Sequence, residues 1–468
     1  MPLIKSISGI RGTIGGLSGE SLSPNDILNF IFAYAWQIKN KFSNIKNPQV
    51  ILGRDGRKSG PLLHEFIRSS LCLNGINVLD VDLATTPTIA MAVINHEAQG
   101  GIIISASHNP RDWNALKLLN ENGEFLNSLD GKELYKYANK VDKSYPKIDN
   151  LGLVRYYQFA LDDHINNILK LKLVNKELIK RKNYKIVVDA INSVGALAIP
   201  KLLESLGIRN YEIINSEING EFAHNPEPLE KNLKHLKSEV RKSEADLGIA
   251  VDPDVDRLAF VDEKGQMFGE EYTLVAVADY VLSNYSSCFY QKTTVSNLSS
   301  SRALKDLTEK KGGSYYSAKV GEVNVVEKMK KVAAVIGGEG NGGVIYPELH
   351  YGRDALVGIA LFLGFLAQKN ISISELKKQY PKYEMIKDKI ELGEKINLNK
   401  ILKAVKKQYN QEEITDIDGV KINWPDSWLH LRASKTEPII RVYAEAKNKR
   451  KAQERIKEIK DFLAYFKQ

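Results

Sequence analysis

Residues 101–110 read Gly-Ile-Ile-Ile-Ser-Ala-Ser-His-Asn-Pro, an apolar run that feeds straight into a turn of small polar residues. Consecutive isoleucines suit a buried strand, and Pro110 ends regular pairing. The turn carries a hydroxyl at Ser107 and an imidazole at His108. A serine held just beyond a strand is what a nucleophile or a covalent phosphate carrier requires. Ser, Asn and Pro also build ordinary strand-to-loop turns, so both readings stay open for this segment alone.

Three further segments have chemistry-bearing composition. Asp252-Pro253-Asp254-Val255-Asp256-Arg257 alternates carboxylates about a restricted turn and can converge three hard oxygen ligands on Mg²⁺. The calcium-loop alternative fails, because its sixth position must be glycine and here is Arg257. A plain acidic turn is the other reading. Gly337-Gly338-Glu339-Gly340-Asn341-Gly342-Gly343 formally fits a dinucleotide fingerprint through Gly338, Gly340 and Gly343. That fingerprint must open a helix, yet Val344–Pro347 reads as extended, which argues against a nicotinamide or flavin cofactor. Glu339 and Asn341 on a glycine-rich backbone instead fit vicinal sugar hydroxyls, with a structural turn as the alternative. Finally, Arg432-Ala433-Ser434-Lys435-Thr436-Glu437-Pro438, with Arg441 close behind, gathers the cations and hydroxyls that a phosphate dianion needs. A charged surface turn has the same composition. Gly9–Gly12 and Gly53–Arg57 add Arg11, Arg54 and Arg57, which a tight surface turn would also explain. Lys117, ten residues beyond Ser107, gains meaning only from this company.

These loops need elements to hold them. A chain of 468 residues exceeds one core, and 43% hydrophobic with 26% charged residues is ordinary globular composition. Strand-like runs alternate with helical periodicity, which predicts an α/β chain with mainly parallel sheets. Ser23, Pro24 and Asp26 signal a helix start, followed by Ile27, Phe30, Ile31, Tyr34 and Ile38 at helical spacing. A weak repeat is visible. Val50–Leu52, Ile186–Val188 and Thr294-Val295 each open a unit, and each unit then has a second strand ending in a chemistry-bearing loop. Those second strands are expected at Ile102–Ile104, Leu247–Val251 and Val332–Ile336. A lysine-rich linker is expected near Lys377–Lys389, and the final helix should bury Ile456, Ile459, Leu463 and Phe466. Expected divisions are 1–150, 151–257, 258–372 and 373–468.

The net charge of +9 invites a nucleic-acid reading, but arginine-rich tracts with interleaved aromatics are absent. A lysine-rich solvated surface, or a basic cleft for an anionic small molecule, fits better. Cys72 and Cys288 imply neither a disulfide framework nor a thiolate metal site. No apolar run reaches membrane-spanning length and no P-loop lysine motif occurs, so a cytoplasmic protein without membrane or nucleic-acid partners is expected.

Taken in order, the four segments resemble the α-D-phosphohexomutase family over essentially the whole chain. The family's Thr-Ala-Ser-His-Asn-Pro matches Ser105–Pro110, and its Asp-x-Asp-x-Asp-Arg matches Asp252–Arg257. Its Gly-Glu matches Gly338-Glu339, and its Arg-x-Ser-Asn-Thr-Glu-Pro matches Arg432–Pro438 except at Lys435. The resemblance implies three similar α/β domains with mixed, mainly parallel sheets and a C-terminal α+β domain around a central cleft. It implies Ser107 as phosphoryl carrier, with Asp252, Asp254, Asp256 and the seryl phosphate holding one Mg²⁺. Glu339 and Asn341 are then sugar contacts, and Arg432, Ser434, Lys435, Thr436 and Arg441 clamp the non-reacting phosphate. Arg11, His108, Lys117 and Arg257 match basic positions near the transferring group. The implied reaction interconverts hexose or hexosamine 6- and 1-phosphates through a 1,6-bisphosphate, which also serves as activator, in a monomer or homodimer.

Many relatives continue Gly-Glu with x-Ser-Gly-His, whereas Asn341 and Gly343 stand at the serine and histidine positions here. That form is closest to phosphoglucosamine-mutase-like members, so glucosamine phosphate is the leading sugar. Glucose or mannose phosphate is the alternative, and a binding-only homologue or a phosphatase are the competing classes.

Overall fold

The computed structural model describes residues 3–6, 9–139, 144–285, 291–391, 398–433 and 439–464. Four sheets follow one another along the chain. The first contains β1 (Ile4–Ser6), β2 (Gly9–Thr13), β3 (Gln49–Arg54), β4 (Asn77–Leu83), β5 (Gly100–Ile104), β6 (Trp113–Leu119) and β7 (Val154–Tyr156). Their order is β1-β2-β6-β5-β3-β4-β7. The pairs from β5 through β3 and β4 to β7 are parallel, and the rest are antiparallel. Burial on both faces explains the unbroken apolar runs. Ile102 and Ile104 face one core, while Ile51 and Ile103 face another.

The second sheet holds β8 (Ile186–Asp189), β9 (Tyr211–Ile214), β10 (Leu247–Val251) and β11 (Leu258–Asp262), in the order β11-β10-β8-β9. Because β11 pairs antiparallel with β10, this sheet continues to Asp262, past the division expected after residue 257. The third holds β12 (Thr293–Asn297), β13 (Ser314–Ala318), β14 (Ile336–Glu339) and β15 (Gly343–Ile345), in the order β13-β12-β14-β15. In both sheets the inner pairs are parallel and the last strand is antiparallel. The fourth is wholly antiparallel, with β16 (Glu384–Glu391), β17 (Glu413–Thr415), β18 (Val420–Trp424), β19 (Ser427–Ala433) and β20 (Ile439–Ala446). Three α/β units and a smaller α+β unit result.

Local signals account for several elements. The helix Pro24–Lys41 starts on a capping box in which Asp26 N–H donates to Ser23 Oγ at 3.3 Å and Ser23 N–H to Asp26 Oδ2 at 3.4 Å. It buries Ile27, Phe30, Ile31, Tyr34 and Ile38. Tyr34 accepts from Gly101 N–H at 2.9 Å and donates to the Leu119 carbonyl at 2.5 Å, pinning the helix to the root of β5 and β6. The largest core joins the second and third sheets through the almost wholly buried helix Ala355–Lys369, with Phe362 stacked on Phe260 at 3.8 Å.

Two sequence expectations are corrected. The strand expected at Val332–Ile336 is β14 at Ile336–Glu339, because residues Glu322–Lys331 form a helix capped at Val332. The linker expected near Lys377–Lys389 is instead the helix Ile373–Lys377 followed by β16, which pairs along its whole length with β20. Alternating lysines on an edge strand keep it soluble and resemble a linker in composition. The last helix, Lys449–Ala464, buries Ile456, Ile459 and Leu463 as expected, and Phe466 lies outside the described residues. Among the described residues, no helix is long and apolar enough to cross a membrane.

One arrangement recurs in all three α/β units. The chain leaves a parallel strand, makes a loop and returns antiparallel, at β5–β6, β10–β11 and β14–β15. Ser107, the three aspartates and the Gly340–Gly342 turn sit in those three loops.

Candidate active site

The loops open onto one cleft of about 640 Å³, lined by residues from all four units, among them Ser107, Arg257, Glu339 and Arg432. Ser107 is buried and adopts φ +49°, a left-handed conformation uncommon for a non-glycine residue. The loop is held from below. Ser107 N–H donates to Ser105 Oγ at 3.0 Å, and Ser105 Oγ donates to Asp55 Oδ2 at 2.7 Å. Arg57 is fully buried and spends all five donors here. It bonds Asp55 and the carbonyl oxygens of Ser107, Asn109, Pro110 and Trp113. Arg57 is therefore a support for the loop rather than a surface arginine.

With its backbone fixed, Ser107 Oγ donates to Asp252 Oδ2 at 2.5 Å and lies 3.4 Å from His108 Nδ1. Burial, then Arg257, Arg11 and Arg353, push the His108 imidazole well below its ordinary pKa. A neutral ring beside the serine results.

Asp252, Asp254 and Asp256 are fully buried, with one oxygen from each within 4.8 Å of the others. Their surroundings dispose of the oxygens unequally. Asp252 Oδ1 accepts the N–H groups of Asp256 and Arg257 at 3.1 and 3.0 Å. Lys117 Nζ lies 2.5 Å from Asp254 Oδ2 and 3.6 Å from Asp256 Oδ2. Thr86 Oγ1 also donates to Asp254 Oδ2, at 2.6 Å, and Arg353 Nη2 lies 2.7 Å from Asp256 Oδ2. Asp254 Oδ1 and Asp256 Oδ1 remain buried without a hydrogen-bond partner, Asp256 Oδ1 lying 4.0 Å from Arg257 Nε. Burial and the neighbouring carboxylates of Asp256 and Asp254 hold the Asp252 carboxyl well above its ordinary range. Orphaned buried oxygens and crowded carboxylates are the donor set that a hard divalent cation satisfies, so Mg²⁺ fits. Val255, between the aspartates, adopts φ +60°, which costs a β-branched residue on the order of 1–3 kcal/mol. Its carbonyl oxygen accepts from Ala355 N–H at 3.2 Å, and its neighbour Asp254 accepts from Thr86 N–H at 2.9 Å, so adjoining units grip the loop from two sides.

The glycine-rich segment closes as a hairpin in which Gly338 pairs with Val344 and Glu339 with Gly343. No helix opens after it, which excludes the dinucleotide fingerprint at this loop. Glu339 is buried at the end of β14. Its Oε1 accepts from Asn297 Nδ2 at 2.8 Å and Gly321 N–H at 3.1 Å, and its Oε2 meets Arg353 Nη1 at 2.9 Å. Burial raises its pKa, and Arg353 with these donors more than offsets that, leaving it lowered. Asn341 lines the cleft and accepts from Gly343 N–H at 3.2 Å.

The basic residues arrive from different units. Arg11 lies on β2 rather than in a tight turn, and its Nη1 donates to Asn109 Oδ1 at 3.5 Å. Burial, then Arg257 and Arg441, lower its pKa. Arg257 Nη1 pairs with Glu227 Oε1 at 3.0 Å. Arg432 on β19 and Arg441 on β20 are register partners, and Arg432 Nε pairs with Asp418 Oδ2 at 2.9 Å. Ser434, Lys435 and Thr436 lie outside the described residues. The described sequence candidates thus line or adjoin one cleft, apart from Arg54, whose Nη2 pairs with Asp82 Oδ1 at 3.0 Å.

Sequence reading missed Glu227, Arg353 and His430, and it named Arg57 without its supporting role. Arg353 pairs with Asp256, Glu322 and Glu339 together. His430 joins the fourth unit to the third, with Nδ1 3.0 Å from Ser299 Oγ and Nε2 2.7 Å from the Asp418 carbonyl oxygen. A motif carries no signal for such residues; only the fold brings them in.

Comparison with known proteins gives four consecutive matches to the phosphoglucomutase/phosphomannomutase family. Its α/β/α domains I, II and III match residues 4–145, 162–265 and 269–383, and its C-terminal domain matches residues 386–462. The chain is 35% identical to a phosphoglucomutase/phosphomannomutase of Thermococcus kodakarensis over 449 residues, covering 95% of this chain and 96% of the relative. It is 34% identical to a phosphoglucosamine/phosphogalactosamine mutase of Sulfurisphaera tokodaii, covering 89% and 92%. Among solved structures, a phosphoglucomutase/phosphomannomutase family protein of Burkholderia thailandensis superposes with a TM-score of 0.83 at 25% identity, covering 99% and 98% of the two chains.

Proposed function

The chain belongs to the α-D-phosphohexomutase family and is an isomerase, and from that premise we propose that Ser107 carries the phosphoryl group it transfers. The observation that supports this most directly is the 2.5 Å contact of Ser107 Oγ with Asp252, in a cleft lined by basic residues.

In this reading phospho-Ser107 donates to the free hydroxyl of a hexose monophosphate. The bond from phosphorus to Ser107 Oγ breaks as a bond to the sugar oxygen forms, and the hydroxyl proton leaves. Neutral His108 is a proton acceptor at that position. The bisphosphate then turns over, its other phosphoryl group passes to Ser107, and the isomeric monophosphate departs. A dianionic phosphate needs neutralisation throughout, and Arg11, Lys117 and Arg257, which line the cleft with Ser107, would supply it. Asp252, Asp254 and Asp256 would hold Mg²⁺, which when bound adds positive charge against the transferring group. Arg432 and Arg441, with Ser434, Lys435 and Thr436, take the phosphate that is not reacting.

Glucosamine 6-phosphate is the proposed substrate, on the Asn341–Gly343 form of the sugar loop and the named activity of the Sulfurisphaera relative. A second reading, glucose or mannose phosphate, is favoured by one observation. Each glutamate lining the cleft already has a cationic partner: Glu227 with Arg257, Glu271 with Lys387, and Glu322 and Glu339 with Arg353. Among the described residues, none is left over for the ammonium of an amino sugar. Intact mass should show one phosphate that Ser107→Ala removes, together with mutase turnover under Mg²⁺ and a 1,6-bisphosphate. Release of inorganic phosphate in place of isomerised sugar would overturn the assignment. Equal catalytic efficiency on the 1-phosphates of glucosamine, glucose and mannose would remove the glucosamine preference.

A further inference from the structure

Arg353 is the residue on which the cleft's buried carboxylates converge. It belongs to none of the four recognisable segments. Its Nη2 lies 2.7 Å from Asp256 Oδ2, its Nη1 lies 2.9 Å from Glu339 Oε2, and its Nε lies 2.9 Å from Glu322 Oε2. Its own backbone N–H donates to Glu322 Oε1 at 3.1 Å. One planar fork thus touches a carboxylate of the β10–β11 loop and a carboxylate at the end of β14. A lysine offers a single point of charge and cannot span both.

Space for this fork is built into the hairpin. A β-carbon at Gly343 would lie 2.3 Å from Arg353 Cδ, so only glycine leaves the path across β15 open. Arg353 itself bridges to Ile345 on that strand, which fixes where its side chain starts. The unusual Gly343 and the buried arginine are therefore one feature seen from two sides.

We propose that Arg353 is a positioning residue that locks the metal loop and the sugar loop to each other by holding Asp256 and Glu339 on one guanidinium. This rests on the phosphoryl-transfer reading of the cleft. By engaging Asp256 Oδ2, Arg353 leaves Oδ1 as that residue's oxygen without a hydrogen bond. By engaging Glu339 Oε2, it sets how this carboxylate is presented to a sugar. Displacing the fork should then disturb cation and sugar binding together.

The test uses two variants of the full chain that keep the positive charge, Arg353→Lys and Gly343→Ala. The second crowds Arg353 Cδ and, at 3.0 Å, also meets Asn341 Oδ1, so Arg353→Lys is the variant that isolates the fork. Calorimetric titration with Mg²⁺ alone, and then with glucose 6-phosphate in saturating Mg²⁺, reads both loops without requiring turnover. Each dissociation constant should weaken at least threefold in both variants, with the thermal midpoint recorded alongside. If stability falls while both constants stay within twofold of the parent, Arg353 is merely structural and the proposal fails. If only one constant moves, the coupling between loops fails. A parent chain that binds both but shows no mutase turnover would instead sink the proposed reaction, leaving the coupling to be decided by the two titrations.

Discussion

Arg432 and Arg441 stand directly opposite each other on β19 and β20, two like charges in register at the rim of the cleft. Such a pair repels and destabilises by a few tenths of a kcal/mol to about 1 kcal/mol, offset in part by Asp418 at Arg432 and further by an anion bound between them. Arg441→Met should therefore leave stability unchanged or slightly raised while raising KM for both the 1- and 6-phosphate about tenfold. Inorganic phosphate should raise the thermal midpoint of the parent more than that of the variant. An equal shift in both would mean the anion binds elsewhere.

Arg57 supports the serine loop with five hydrogen bonds from a fully buried fork. Arg57→Lys keeps the charge but leaves several carbonyl oxygens unpaired, at a cost of about 3 kcal/mol. Denaturant unfolding should register that loss. Turnover should fall further than KM changes, because the loop that carries Ser107 loses its floor.

Asp254 Oδ1 and Asp256 Oδ1 are buried without a hydrogen bond and belong to the carboxylate set proposed to hold Mg²⁺. Chelation should lower turnover at least 100-fold, and added Mg²⁺ should restore it. In Asp254→Asn, Lys117 loses a charged partner and the cation loses a ligand, so Mg²⁺ should fail to restore activity at concentrations that saturate the parent. Unaltered turnover in excess chelator would exclude the metal reading.

His430 gives the fourth unit a pH-dependent hold on the third. Burial chiefly, with Lys421 and Arg432 nearby, lowers its pKa from 6.5 to about 4, against the opposing pull of Asp418. The neutral ring donates from Nε2 to the Asp418 carbonyl oxygen and accepts at Nδ1 from Ser299, and protonation reverses the second bond while placing a charge in a buried site. Between pH 6.5 and about 4 the unfolded chain binds the extra proton, so stability is complete above that window and is lost as pH falls through it. The full contribution is about 3 kcal/mol. Unfolding midpoints measured from pH 7 to pH 4 should drop less steeply in His430→Asn than in the parent, and parallel curves would refute the contribution.

His164 joins three units at a buried point. Its Nε2 lies 2.9 Å from Asp354 Oδ2 and its Nδ1 3.0 Å from Thr88 Oγ1. Asp354 also caps the helix Ala355–Lys369 and receives His350 at 3.3 Å. His164→Phe should cost about 2 kcal/mol by leaving buried polar atoms unpaired. Thermal unfolding should show the loss with KM unchanged, since none of these atoms lines the cleft.

The aspartates were legible because Asp252, Asp254 and Asp256 are neighbours in the chain before they are neighbours in space. Of their partners, only Lys117 was a candidate, through its place after Ser107, and it meets Asp254 across 137 residues. Thr86 meets Asp254 across 168 residues and Arg353 meets Asp256 across 97, and these ordinary residue types acquire a role only when sheets pack. The α/β alternation was readable because β3, β5 and β10 are buried on both faces and so lack polar interruptions. β16 misled for the opposite reason: as an edge strand its composition is that of a solvated linker. The early helix was readable because its cap and its apolar stripe agree.

The loop between β5 and β6, the loop between β10 and β11, and the turn between β14 and β15 share one topological address in three successive units. Descent from a single duplicated ancestor would account for that. Copying the unit copies the address, and each copy can then specialise the contents while its sheet stays intact. On the proposed roles, carrying a phosphoryl group, holding a cation and reading a sugar become a division of labour among siblings. Exchanging what lies at 105–112, 252–257 or 340–342 is consequently the economical way to re-equip this scaffold.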